Sequence, residues 1–181
     1  MFIPTKENYT NMTPQDFEKF VMDILYRASE GQRKITVQHN EIIKTREGDF
    51  QIDGTIRFEI MGVKYLTLVE CKMYKSPVSR EKVQILFDKL RATGAQKGIL
   101  VTTSYFQSGA IDYAASHGIA LVQIIDGKLT YNVRSRYVEK IYYPDDLPKY
   151  AGIAQYKVNR TTIGCSNVMG SDFLADFIFS N

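Results

Sequence analysis

Between residues 13 and 28 the apolar side chains recur every three or four positions: Phe17, Phe20, Val21, Ile24, Leu25 and Ala28. That spacing predicts an amphipathic helix. Thr13 suits its N-cap, Pro14 its first turn and Asp16 its N3 position. The period then falls to two. "KITVQHNEII" reads as a strand, and "FQIDGTIRFEI" alternates clearly. Ile52, Ile56, Phe58 and Ile60 are expected on one face of it, with Gln51, Asp53, Thr55, Arg57 and Glu59 on the other. Met61-Gly62 supplies a hairpin turn into "LTLVECK", a short apolar run that reads as a buried strand.

After Pro77 the helical period returns, with Ser79 as the cap and Val83, Leu86, Phe87 and Leu90 on one face. "KGILVTT" is another buried strand. Ser104 and Gln107 form a capping-box pattern that predicts a third helix through Ala110, Ile111, Ala114 and Ala115. "GIALVQII" predicts a further strand, and "DGK" a turn into "LTYNVRS". The order α-β-β-β-α-β-α-β-β implies an α/β domain, a mixed β-sheet flanked by helices. "YYPDDLPKY" reads as a linker or ordered loop. Phe173, Leu174, Phe177, Ile178 and Phe179 suit either a docked helix or a dimerisation element. The expected division is a compact unit over 1–130 and an extension over 131–181.

Composition narrows the function classes. In 181 residues, 44% hydrophobic positions with 12 Tyr and 10 Phe are enough for a real core. A net charge of +3 permits an acidic partner without requiring one. Cys71 and Cys165 form no CxxC, and two His complete a poor set of soft ligands, which argues against structural zinc. "MFIPTKENYT" lacks an apolar signal region, so a cytoplasmic protein with reduced thiols is expected.

The chemistry gathers at the end of "LTLVECK". Glu70 and Lys72 are two apart and share a strand face. If 51–60 and 64–72 pair as a hairpin, Asp53 comes close to both. Asp53 and Glu70 can hold a hard cation such as Mg²⁺, with Mn²⁺ as substitute. Such an ion acidifies bound water, and Lys72 would orient or deprotonate that water, or stabilise the pentavalent phosphorus transition state. Cys71 points away from this pair as a small core residue, with its backbone carbonyl as a further metal contact. A surface salt bridge among Asp53, Glu70 and Lys72 is the bland alternative, since short D…ExK patterns also arise by chance. Asp49 reads as a turn residue. Ser104 reads as a cap, although a helix N-terminus there would also suit a phosphate. Lys75, Arg80 and Lys82 form a basic rim that could meet phosphates without sequence choice.

"MTPQDFEKFV", "GDFQIDG", "LVECK", "VQILFDKL" and "GAQKGILVTTSYFQSGAIDYAASHGIALV" together resemble the Mrr-like restriction endonucleases of the PD-(D/E)xK nuclease superfamily, over roughly residues 12–127. The resemblance implies a restriction-endonuclease-like fold. It implies a metal-dependent endonuclease hydrolysing DNA phosphodiesters in restriction, defence or repair. It also implies roles for particular residues: Asp53 and Glu70 as acidic metal ligands, Lys72 as the motif lysine, Glu18 as an acid on the first helix that completes the site, and Gln84 as a nearby helix glutamine. Many members carry a Gly-Gly pair and a glutamine where this chain has Phe50-Gln51 and Glu70. Glu70 is the stronger cation ligand, whereas loss of the glycines alters the loop before Asp53. The competing reading is a catalytically silent DNA-binding or assembly module. A small-molecule enzyme finds no support, because GxGxxG, GxxxxGK[ST] and a Ser/His/Asp set are all missing. Double-strand cutting by a single-site domain points to a homodimer, with the tail as the place to look for its interface.

Overall fold

A computed structural model describes residues 12–28, 35–126, 150–168 and 172–179; "LTYNVRS" lies outside the described residues. The elements run α1 (Pro14–Ala28), β1 (Thr36–Thr45), β2 (Gly48–Ile60), β3 (Val63–Lys72), α2 (Arg80–Thr93), β4 (Lys97–Thr102), α3 (Ser108–Ala115), β5 (Ile119–Asp126), β6 (Tyr150–Lys157), β7 (Ile163–Asn167) and α4 (Phe173–Phe179). Among the described residues, the seven strands form one sheet in sequence order. β3, β4 and β5 are parallel neighbours, and the remaining neighbouring pairs are antiparallel. This is the mixed α/β arrangement that the periodicity implies. Among the described residues no helix is long and apolar enough to cross a membrane.

Two apolar clusters cover the two faces of the sheet. One joins α1 and α4 through Phe17, Val21, Leu25, Leu174 and Ile178 to Ile56, Val69, Ile99 and Val122. The other joins α2 and α3 through Val83, Leu86, Leu90, Ala110 and Ile111 to Ile52, Leu68, Leu100 and Leu121. Both β-α-β crossovers put their helix on the same side because both advance along the sheet in one direction. At the start of α1, Thr13 Oγ1 accepts the Asp16 N–H at 3.1 Å and donates to Asp16 Oδ2 at 2.7 Å. This satisfies one of the donors that a helix start leaves open.

Two sequence expectations are corrected. Ser104 does not open α3. The backbone of 105–107 pairs with Val78 instead: Val78 N–H donates to Tyr105 O at 2.9 Å and Gln107 N–H to Val78 O at 3.0 Å. The helix therefore starts at Ser108, and the buried Ser104 hydroxyl has no hydrogen-bond partner among the described residues. The strict alternation along β2 also fails. Ile56 and Phe58 face the α1 side, but Ile52 packs on the α2 side. β1 switches in the same way, with Val37 against the first cluster and Ile43 against the second. The switch falls at Asn40, whose φ of 53° is left-handed, and at Asp53, which lies opposite it in the register. Asparagine tolerates that conformation better than most residues. The hairpin thus passes from one layer to the other at Asp53.

Candidate active site

The β2–β3 ladder stops at Gly54–Val69. One more step would pair Asp53 with Glu70, but there β2 turns away from β3. Asp53 Oδ2 fills the gap and accepts the Cys71 N–H at 2.7 Å, which satisfies a donor released by the broken ladder. Departures of this kind are common beside functional sites, where they re-aim a side chain.

Glu70 is only 4% exposed and faces α2. A buried carboxylate is costly unless paired, and this one has a lysine on each oxygen. Lys72 Nζ donates to Oε2 at 2.9 Å and lies 3.8 Å from Asp53 Oδ2, so the ammonium bridges the two acids. Lys89, from α2, donates to Oε1 and to the backbone carbonyl of Gln51, the latter at 3.0 Å.

Burial pushes the Asp53 carboxyl above its ordinary range, and the charges of Glu70 and Glu18 add to the push, against the Cys71 N–H and Lys72. Burial pulls the Lys72 ammonium down, but the Glu70 and Asp53 carboxylates outweigh it and the net direction is up. Lys72 therefore keeps its proton at neutral pH.

Glu18 stands on α1 with Oε2 2.9 Å from His39 Nε2, near enough to Asp53 and Cys71 for its charge to act on both. Cys71 is buried in the α1-side cluster, and burial, then Asp53, raises its thiol far above the ordinary value, so it stays protonated. Gln84 is exposed and is not brought to this cluster. The inward row of α2 is Val83, Leu86 and Leu90, and Lys89 is its side chain at the site. Lys89 was not singled out from the sequence; its only signal is its position beside that row. In the basic rim, Lys75 is exposed, Arg80 lies over the Tyr113 ring at 5.1 Å, and Lys82 is 3.8 Å from Glu81.

Among the described residues no three His, Cys, Asp or Glu side chains converge as a complete metal cage. Asp53 and Glu70 nonetheless fit a hard divalent cation that keeps several waters. They are two adjacent carboxylates, and the charge of one already disfavours ionisation of the other.

The profile of the Mrr catalytic domain, described as restriction endonuclease, matches residues 9–129. The type IV methyl-directed restriction enzyme EcoKMrr of Escherichia coli K12 is 32% identical over 117 residues, 64% of this chain and 37% of that enzyme. The chain thus spans little more than a third of that relative's length. Among solved structures, a protein of unknown function gives a TM-score of 0.49 at 18% identity, covering 74% of this chain and 73% of that one. The MspJI restriction endonuclease in complex with a 27-mer oligonucleotide gives 0.41 at 19% identity, covering 59% and 25%. By its match over residues 9–129, more than half of its length, the chain belongs to the Mrr-like restriction endonuclease family.

Proposed function

We propose that the protein is a DNA endonuclease that hydrolyses phosphodiester bonds with Mg²⁺, or Mn²⁺ in its place, in restriction or defence. The observation that carries this is the Asp53–Lys72–Glu70 bridge at the point where β2 leaves β3. Restriction endonucleases of this family generally use divalent metal ions. Asp53 and Glu70 would hold the ion, with the Cys71 carbonyl as a further oxygen. A cation there lowers the pKa of a bound water and offsets charge on a phosphate oxygen.

The remaining steps belong to the chain. Lys72, which lies between the two acids, would place the attacking water and face the charge that builds on phosphorus. Water attacks in line and gives up a proton to solvent, one P–O ester bond breaks, and the leaving oxygen takes up a proton from solvent. Glu18, fixed by His39, completes the acidic set. Gln84 stays in this reading only as a surface contact to DNA. Lys75 would meet phosphates along the backbone, giving affinity without sequence choice. DNA is the partner, and the name of EcoKMrr makes methylated DNA the first substrate to try. In this reading 1–130 carries the chemistry, β6, β7 and α4 complete the sheet and core that hold it, and a homodimer would serve double-strand cutting.

The test is plasmid cleavage by the wild type and by Lys72→Ala, on unmethylated and methylated DNA, with Mg²⁺, Mn²⁺ or EDTA. Cutting should need metal, and the variant should lose about 10²–10³-fold in rate. Intact plasmid under every condition would refute the nuclease reading. If DNA binding then persisted unchanged in Asp53→Asn, the silent module would take its place.

A further inference from the structure

The hydrogen bonds of Lys89 have a consequence for the metal chemistry. Its ammonium donates to two oxygens, Glu70 Oε1 and the Gln51 carbonyl, both of the hard type that Mg²⁺ and Mn²⁺ select. The side chain is only 19% exposed, and its stem rises from the inward edge of α2 beside Leu86 and Leu90. Lys72, by contrast, bridges Glu70 Oε2 and Asp53 Oδ2, which is the place a cation held by the two acids would take. The two lysines are thus not equivalent. A cation held between Asp53 and Glu70 would take over the partners of Lys72, whereas those of Lys89 lie on the other oxygen of Glu70 and on Gln51.

We propose that Lys89 is a positioning residue that acts as a built-in monovalent cation. It holds the far oxygen of Glu70 while Lys72 is released toward the water, and it restricts the centre to one divalent ion. This rests on the nuclease reading of the same site. A second divalent ion on Glu70 Oε1 and the Gln51 carbonyl would have to expel Lys89. That would leave a half-buried ammonium unpaired next to a dication, with both the lost hydrogen bonds and the repulsion working against it. In two-metal sites a second ion shares the charge of the leaving oxygen; here a fixed ammonium stands beside the carboxylate instead. The arrangement also explains why Glu70 tolerates near-complete burial: each of its oxygens keeps a charged donor before any metal arrives.

The experiment is Mn²⁺ titration of the full chain by calorimetry and by the loss of the free-ion resonance signal, without DNA, on wild type, Lys89→Met, Lys89→Arg and Asp53→Asn. The expected result is one Mn²⁺ per wild-type chain and one in Lys89→Arg, which keeps the charge. Lys89→Met keeps the apolar stem and should take a second Mn²⁺. Asp53→Asn should weaken the single site at least 10-fold. Two ions bound by the wild type, or one still bound by Lys89→Met, would overturn the role of Lys89 and leave the nuclease reading standing. No Mn²⁺ bound by the wild type would remove both. Because ion number is the readout, a merely structural role for Lys89 would not move it, and circular dichroism of each variant separates misfolding from altered stoichiometry.

Discussion

At the scale of single residues, Asp53 carries the main tension in the molecule. Its carboxyl is half-buried beside Glu70, and its pKa stands above the ordinary value of 3.8. An acid whose pKa is raised on folding helps the folded state only while protonated. That help is complete below 3.8 and is lost as pH rises through the elevated value, so at neutral pH the ionised group works against the fold. Asp53→Asn should therefore stabilise the metal-free protein at pH 7. The amide still accepts the Cys71 N–H and no longer repels Glu70. A gain of about 1 kcal/mol, roughly 2–4 °C in melting temperature, is expected. The gain should fade as pH falls toward 3.8, where both versions are neutral. Thermal melts in EDTA from pH 3.5 to 7 check this, and a variant that melts lower than wild type at pH 7 would contradict it. Asp53, Glu70 and Lys72 were legible in the sequence because strand period and hairpin turn place them together. Lys89 was not, because its reach into the site depends on how α2 sits across the sheet. Gln84 was expected near the site but lies about 140° round the helix from Lys89. Packing of Val83, Leu86 and Leu90 fixes that rotation and turns Gln84 outward.

At the scale of elements, the decisive feature is the change of face along β1 and β2. Up to β5 every strand and helix was readable from its period, whereas β6 and β7 lie in a stretch that was not read as strand. The switch was not readable either, because strict alternation is the assumption by which a strand is read at all. Asn40 is the one local sign of it. Gly54 follows directly after the switch, and its backbone runs against α1. A Cβ there would overlap Sδ and Cε of Met22. The glycine thus leaves room for the end of the Met22 side chain, a flexible group that must swing aside if a Cβ is added, and is not demanded by its dihedral angles. Gly54→Ala should cost about 1 kcal/mol, the crowding being partly relieved as the Met22 thioether shifts. Met22→Ala should cost about 2–5 kcal/mol by leaving a cavity in a core position. Together they should cost less than the sum, by at least about 0.5 kcal/mol, because the shortened side chain makes room for the new methyl. Urea unfolding of the four proteins measures the coupling. Strict additivity would mean that α1 does not press on β2 where the structure puts it.

At the scale of the whole molecule, the sequence left the role of the C-terminal apolar residues open, since a docked helix and a dimerisation element present the same side chains. The structure uses them internally. β6 and β7 extend the sheet beyond β5, and α4 lies on the α1 face with Leu174 and Ile178 each 2% exposed. Phe179 meets Phe58 edge-on at 5.0 Å, and Lys97 donates to the Phe177 carbonyl. Phe58 is on β2, the strand that carries Asp53, so the last helix and the site are joined through one strand. If they form a single cooperative unit, Leu174→Ala should lower global stability by about 2–5 kcal/mol. For a chain of this size that is roughly 2–4 °C in melting temperature for each kcal/mol, in one transition. On the proposed reading, Mn²⁺ held between Asp53 and Glu70 would stabilise only the folded state. Saturating Mn²⁺ should therefore raise the melting temperature of Leu174→Ala by about as much as that of wild type, because α4 touches none of the carboxylates. Calorimetric scans with and without the ion test both statements. A separate low-temperature transition that ignores Mn²⁺ would show instead that α4 unfolds independently of the sheet that holds the site.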